Sequence, residues 1–229
     1  MDEEPQDELG FINYGNMSDE RKSKIKKILE KYRDIFKMKT SKGNPDIPIR
    51  HKIRLIDDKM AGIRVTYGRR NSEEILKQEK YVKELLERGL IEKGTGEYSA
   101  PMLMVKKKDG SKRIVIDYRK LNTNTLLDDY SIPRIDDTLD RLEGKALFTT
   151  LDATDGFWQI LMEELSKDYT GFTVQGMHYR WRVMPMGLKG SSLTFQRAMH
   201  HILAELVGKI CLVYIDDVIM FGKDEEEHV

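Results

Sequence analysis

A single cysteine, Cys211, carries all the thiol chemistry of a 229-residue chain. No internal disulfide can form, and the chain suits a reducing compartment. Cys211 lies inside an apolar run, where a buried structural thiol is the expected role. No apolar stretch approaches the ~20 residues that a membrane span requires. The first residues, Met1-Asp2-Glu3-Glu4, are acidic and lack the basic start of a secretory leader. An intracellular, cytoplasmic protein that is not secreted is therefore expected. Charge of one sign is missing as well: Lys plus Arg and Asp plus Glu are equal at 39 each. A neutral total does not decide for or against a nucleic-acid partner, because the distribution of charge matters more. Internal repeats and long low-complexity tracts are absent. What remains, 39% hydrophobic and 34% charged residues, is a globular composition for one large domain or two small ones.

The organisation reads in three parts. Residues 1–17 are expected to be a disordered acidic lead. Residues 18–50 are expected to be a helix and a linker. Ser18 is a suitable N-cap, and Ile25, Ile28, Leu29, Tyr32, Ile35 and Phe36 form one apolar helical stripe. Residues 51–229 form the main domain. His51–Leu55 alternates like a short edge strand, and His51 is assigned no role. A helix is predicted from Ser72 to Arg88, stopped by Gly89. Two hairpins are predicted, one around Asp109-Gly110 and one around Gly176. His178, beside the second turn, is expected to be exposed, and Asp128-Asp129 to be solvated. A further helix is predicted after an N-cap at Ser191 or Ser192. Phe195, Ala198, Met199, Ile202, Leu203 and Leu206 make its core stripe, and Gly208 closes it.

The most informative stretch is Leu212-Val213-Tyr214-Ile215-Asp216-Asp217-Val218-Ile219-Met220-Phe221. Apolar, β-branched and aromatic residues flank two carboxylates, which predicts a hairpin with Asp216 and Asp217 at its tip. Ordinary turn chemistry also accounts for an Asp pair. Two anions between buried strands, however, repel each other unless a cation sits there, and hard oxygen ligands suit Mg²⁺. A second strand-like run, Ala146 to Leu151, leads into Asp152. Three carboxylates on neighbouring strands could hold two metal ions. Beyond Asp152, Phe157 and Trp158 suit either a sugar-binding surface or the core.

Between Lys106 and Lys120 lie seven basic residues (Lys106, Lys107, Lys108, Lys112, Arg113, Arg119, Lys120) and two acidic ones (Asp109, Asp117). A solvated turn explains a short charge run. Beside a candidate metal site, a basic finger gripping phosphates explains it better.

Several motifs now fall in a known order. They are Glu97-Tyr98-Ser99-Ala100-Pro101, Val105-Lys106-Lys107-Lys108-Asp109-Gly110-Ser111, Ile116-Asp117-Tyr118-Arg119-Lys120-Leu121-Asn122 and Tyr130-Ser131-Ile132-Pro133-Arg134-Ile135-Asp136. Phe148-Thr149-Thr150-Leu151-Asp152, Gly156-Phe157-Trp158-Gln159-Ile160, Met184-Pro185-Met186-Gly187-Leu188, Thr194-Phe195-Gln196-Arg197 and Tyr214-Ile215-Asp216-Asp217 complete the series. Over roughly residues 50–229 the chain resembles the reverse transcriptase domain of gypsy-type LTR retrotransposon Pol polyproteins.

The resemblance implies an α+β right-hand polymerase fold with fingers and palm subdomains, an antiparallel palm sheet flanked by helices, and no thumb within these residues. It implies an RNA-directed DNA polymerase that transfers dNTPs onto a primer 3′-hydroxyl. RNA or DNA template with primer is the implied partner, and no membrane is. The cofactor implied is a pair of Mg²⁺ ions, with Mn²⁺ as a substitute. Asp152, Asp216 and Asp217 carry over as catalytic metal ligands. Lys107 and Arg113 carry over as triphosphate contacts, Phe157 as the ring that excludes a ribose 2′-hydroxyl, and Asp155 and Met186 as other nucleotide-pocket positions. Two departures stand out: Met186 replaces the usual phenylalanine, and Lys189-Gly190-Ser191-Ser192-Leu193 replaces Thr-Asn-Ala-Pro-Ala. Thumb, ribonuclease H and integrase segments of a Pol polyprotein are not read in this sequence, so the alternative is an inactive remnant that binds nucleic acid or a protein.

Overall fold

The computed structural model describes residues 13–15, 18–36, 42–57, 71–106, 110 and 112–228. Most of the acidic lead and Lys107 lie outside the described residues. The described residues divide into two compact units, one up to Phe36 and one from Lys42 onward. The first holds α1 (Asp19–Lys31), capped as predicted: the Ser18 hydroxyl accepts the Arg21 N–H at 3.4 Å. Asp19 and Glu20 sit in its first turn, where the helix dipole favours anions.

The second unit begins with β1 (Arg50–His51), α2 (Ser72–Glu87), β2 (Ile91–Lys93), β3 (Met102–Lys106) and β4 (Lys112–Ile116). Two short helices follow, α3 (Arg119–Thr123) and α4 (Ile135–Asp140). Then come β5 (Leu147–Asp152), α5 (Gly156–Gln159), β6 (Leu161–Met162), β7 (Phe172–Val174) and β8 (Met177–Trp181). The chain continues through α6 (Ser191–Ile202), β9 (Cys211–Tyr214), β10 (Asp217–Gly222) and α7 (Glu225–His228).

Two three-stranded antiparallel sheets organise this unit, with strand orders β5-β10-β9 and β2-β8-β7. β3 and β4 form a separate hairpin, and β1 pairs in parallel with β6. Of the edge strand expected from His51 to Leu55, only His51 lies in a strand, β1, and Leu55 makes an isolated bridge to Thr125. Both predicted hairpins form. Between β7 and β8, Gln175 and Gly176 take φ of 49° and 75°, the paired positive values of a tight turn whose twist matches the strands.

Phe172, Trp181, Val183, Met184, Phe195 and Ala198 are central to the main core, which α2 covers with Val82 and Leu85. Burial of such side chains supplies roughly 1.5–3 kcal/mol each. A smaller cluster of Cys211, Val213 and Val218 packs against Met199 and Leu203 of the α6 region. Cys211 is thus a buried thiol, as predicted.

The α6 stripe is shorter than its periodicity. Phe195 and Ala198 are buried, but Ile202 is 51% and Leu206 42% exposed. The helix ends at Ile202, so Leu206 falls beyond it and its helical phase is lost. Neither Ser191 nor Ser192 is the N-cap; Gly190 is, with φ of +82°, and the Ser191 hydroxyl instead donates to the Leu188 carbonyl at 2.8 Å. His178 is half-buried rather than exposed, with Nε2 at 2.7 Å from the Tyr98 carbonyl oxygen. Asp128 is not merely solvated: Arg197 ion-pairs with it and Arg54 lies 3.6 Å away.

Candidate active site

β5 and β10 are antiparallel neighbours in a register that sets Asp217 directly opposite Asp152. Opposite residues in such a pair project to one face with Cβ atoms about 4.5–5.5 Å apart, and like charges placed this way destabilise the pair. On β10 the two-residue period puts Asp217 on one face and Val218 and Met220 on the other. Val218 and Met220 pair with Val213 and Cys211 and pack on the α6 side. Burial of that face holds the register, because a slip of one residue would turn every side chain over.

The hairpin tip is Ile215-Asp216 and not the expected Asp216-Asp217: the Tyr214–Asp217 pair closes the two-residue turn between β9 and β10, and Asp217 is the first residue of β10. In that turn Ile215 has φ of +57°. A β-branched residue in that region is a genuine outlier that costs on the order of 1–3 kcal/mol and persists only where surroundings impose it. Here Gln196 imposes it. This fully buried α6 side chain accepts the Ile215 N–H on Oε1 at 2.6 Å and donates from Nε2 to the Val213 carbonyl at 3.0 Å.

Asp152, Asp216 and Asp217 are exposed, and none of their carboxylates makes a hydrogen bond or ion pair among the described residues. The backbone brings them together, yet among the described residues no three His, Cys, Asp or Glu side chains are gathered tightly enough to hold a metal ion as they stand. Three free carboxylates on one strand end and one turn are nevertheless the hard-oxygen donor set that Mg²⁺ and Mn²⁺ take. A cation between Asp152 and Asp217 would relieve the repulsion of two carboxylates set opposite each other.

Asp155 and Phe157 follow β5. Asp155 adopts φ of +51° and ion-pairs with Arg88, whose guanidinium lies 4.8 Å over the Trp158 ring. Phe157 meets Phe195 edge-on with ring centroids 5.3 Å apart. Gly156 must be small, since a Cβ there would lie 2.9 Å from the Phe195 ring. Both aromatics are half-buried and pack against the main core, Trp158 beside Trp181 and Phe157 beside Phe195. Met186 is 59% exposed on the loop before α6. That loop is pinned to α3: Asn122 donates to the Gly187 carbonyl and accepts the Lys189 N–H, each at 2.8 Å. Arg113 is exposed on β4, on the separate hairpin, and makes no ion pair among the described residues.

Sequence reading missed Gln196, Tyr130 and His200. Tyr130 Oη lies 2.7 Å from His200 Nδ1, and Gln196 Nε2 lies 2.9 Å from His200 Nε2. Burial lowers the His200 pKa from its ordinary value. The available signal was a polar residue, Gln196, directly beside the apolar stripe of a helix.

The antiparallel sheet β5-β10-β9 carries paired carboxylates at its strand ends, and the basic β3–β4 hairpin is a separate sheet. The chain belongs to the reverse transcriptase (RNA-dependent DNA polymerase) family, whose signature it matches over residues 105–229. Within that family it is similar to gypsy-type retrotransposon sequences. It is 35% identical over 235 residues to the retrovirus-related Pol polyprotein from transposon 297 of Drosophila melanogaster, covering 100% of this chain and 22% of that polyprotein. To the Pol polyprotein of transposon gypsy from the same fly it is 42% identical over 154 residues, covering 65% of this chain and 15% of the polyprotein. The enzymatic polyprotein of figwort mosaic virus (strain DxS) is 36% identical over 216 residues, with 88% and 32% covered. The chain thus spans less than a third of each of these relatives. Its fold is that of the foamy viral protease-reverse transcriptase solved in complex with an RNA/DNA hybrid, with TM-score 0.77, 24% identity, and 96% of this chain and 29% of that one covered. The architecture is α+β, the polymerase fold expected from the motifs.

Proposed function

We propose that this chain is an RNA-directed DNA polymerase domain that extends a DNA primer on an RNA or DNA template with dNTPs. The observation carrying the proposal is the β5–β10 register, which sets Asp217 against Asp152 with Asp216 in the adjoining turn. Asp152, Asp216 and Asp217 are the residues that would hold two Mg²⁺ ions, or Mn²⁺ in their place. When bound, such ions lower the pKa of an attacking hydroxyl and stabilise charge on the transferring phosphoryl group.

The remaining residues bind and orient. Arg113 on the β3–β4 hairpin and Lys107, the residue after β3 in sequence, attract the triphosphate. The Phe157 ring, held by Phe195, offers a rigid edge against the nucleotide sugar that leaves no room for a 2′-hydroxyl. Asp155, tied to Arg88, shapes the turn between β5 and that ring. Met186, exposed before α6, borders the nucleotide. The larger size of the Pol relatives supports a setting in a polyprotein whose other segments help hold the duplex, inside the cell in a retroelement particle.

Primer extension with Mg²⁺ or Mn²⁺ tests the proposal. Wild type should extend, and Asp216→Asn should lose on the order of 10³-fold or more, since metal stabilisation is worth several kcal/mol and each 1.4 kcal/mol is tenfold. Wild-type rates in the variant would refute the assignment. A wild-type chain that retains primed template without extending it would favour the inactive remnant.

A further inference from the structure

We infer that Tyr130 and His200 are positioning residues that act through Gln196 to hold the Ile215-Asp216 turn in its strained conformation. This rests on the polymerase reading of that turn. Hydrogen-bond bookkeeping carries the inference. Ile215 N–H can only donate, so Gln196 must present Oε1 to it, at 2.6 Å. Gln196 Nε2 then faces the Val213 carbonyl at 3.0 Å with one hydrogen and His200 Nε2 at 2.9 Å with the other. His200 Nε2 must therefore accept, and the imidazole proton must sit on Nδ1. Nδ1 lies 2.7 Å from Tyr130 Oη, so it donates there. Each member supports the next: Tyr130 Oη accepts the Nδ1 proton of His200, His200 Nε2 accepts the second amide hydrogen of Gln196, and Gln196, oriented by the Ile215 N–H and the Val213 carbonyl, holds the backbone of the turn.

Tyr130 is itself anchored. The Arg197 guanidinium lies 4.9 Å over its ring and is ion-paired to Asp128, which also lies 3.6 Å from Arg54. The irregular connector at 126–134 is thereby joined to the catalytic hairpin through a chain of side chains with one direction of donation. Among the described residues, Gln196 is the only side chain bonded to the backbone of Ile215. Without His200 as acceptor, the second Nε2 hydrogen of this buried amide has no partner, and the hold of Gln196 on the turn weakens.

Four variants and two readouts test the inference. His200→Leu removes the acceptor at similar volume. His200→Gln restores an acceptor near the Nε2 position. Tyr130→Phe takes away the acceptor of the Nδ1 hydrogen and so disfavours the tautomer that Gln196 needs, and Tyr130→Phe with His200→Gln removes a partner that is no longer used. In primer extension, His200→Leu should lower kcat on the order of tenfold, with KM for dNTP unchanged, the loss expected when a buried partner goes missing. His200→Gln should recover to within about twofold of wild type, as expected for a retained hydrogen bond. Tyr130→Phe should lower kcat several-fold alone and not at all in the His200→Gln background. Amide hydrogen exchange at Ile215 should rise about tenfold in His200→Leu and stay at the wild-type rate in His200→Gln. The exchange measurement reads the turn whether or not the chain polymerises. An inactive wild type with the predicted exchange pattern would therefore fault the polymerase reading and leave the positioning chain standing. Equal loss in His200→Leu and His200→Gln, or a Tyr130→Phe cost that is the same in both backgrounds, would overturn the positioning chain.

Discussion

Acid should unfold this protein through His51. The residue is 2% exposed, its Nδ1 lies 2.8 Å from Thr194 Oγ1, and its Nε2 has no partner. Burial pushes its pKa from 6.5 down to about 4. A protonated imidazole at this position would be a buried charge joining β1 to the first turns of α6. The unfolded chain takes up its proton near pH 6.5, whereas the folded chain resists until about pH 4. Stability is therefore fully present above pH 6.5 and falls as pH drops, because the unfolded state binds more protons. The slope is about 1.4 kcal/mol per pH unit, and the loss levels off at roughly 3 kcal/mol near pH 4. That is a large part of the ~5–15 kcal/mol of a typical domain. The assay is urea unfolding at closely spaced pH values for wild type and His51→Gln, whose amide cannot titrate. The difference between the two curves cancels contributions from the carboxylates common to both. It should be flat above pH 7 and slope steadily between pH 6.5 and 4. Parallel curves over that window would refute a neutral buried His51.

Three further outcomes follow from other parts of the molecule. Gly171→Ala should cost about 3 kcal/mol or more in urea unfolding, since a Cβ there would lie 2.1 Å from the Tyr98 carbonyl oxygen, a backbone atom with nowhere to go. Millimolar Mg²⁺ or Mn²⁺ should raise the thermal midpoint of wild type by mass action, about 2.7 kcal/mol at a hundredfold excess over Kd, and calorimetry should show no rise in Asp217→Asn. Arg88→Leu removes the ion pair with Asp155 and strips a cation from the Trp158 face; with Asp155 partly solvated, the cost should be about 1–3 kcal/mol by denaturant titration.

Local chemistry alone determined a good deal. The Ser18 cap, α2 with its Gly89 stop, the hairpins at Gly110 and Gly176, and the strands ending on Asp152 and flanking Asp216-Asp217 all depend on neighbours within a few positions. Their signals survive in a linear string. The ordered motifs also marked the chain as polymerase-like. Tertiary structure decided the rest. No periodicity could tell that Asp217 pairs with Asp152 and not with a residue one step away, because register is set by which face the α6 side buries. The stripe of α6 predicted Ile202 and Leu206 as core, but a helix that ends at Ile202 cannot carry its phase further. His178, Asp128 and His51 acquired partners from Tyr98, Arg197 and Thr194, each distant in the chain. Gln196 reads as one polar residue beside an apolar stripe, and only packing made it the support of the Ile215-Asp216 turn. Hydrogen bonds across such separations depend on chain closure by the whole core, which no local window of sequence contains.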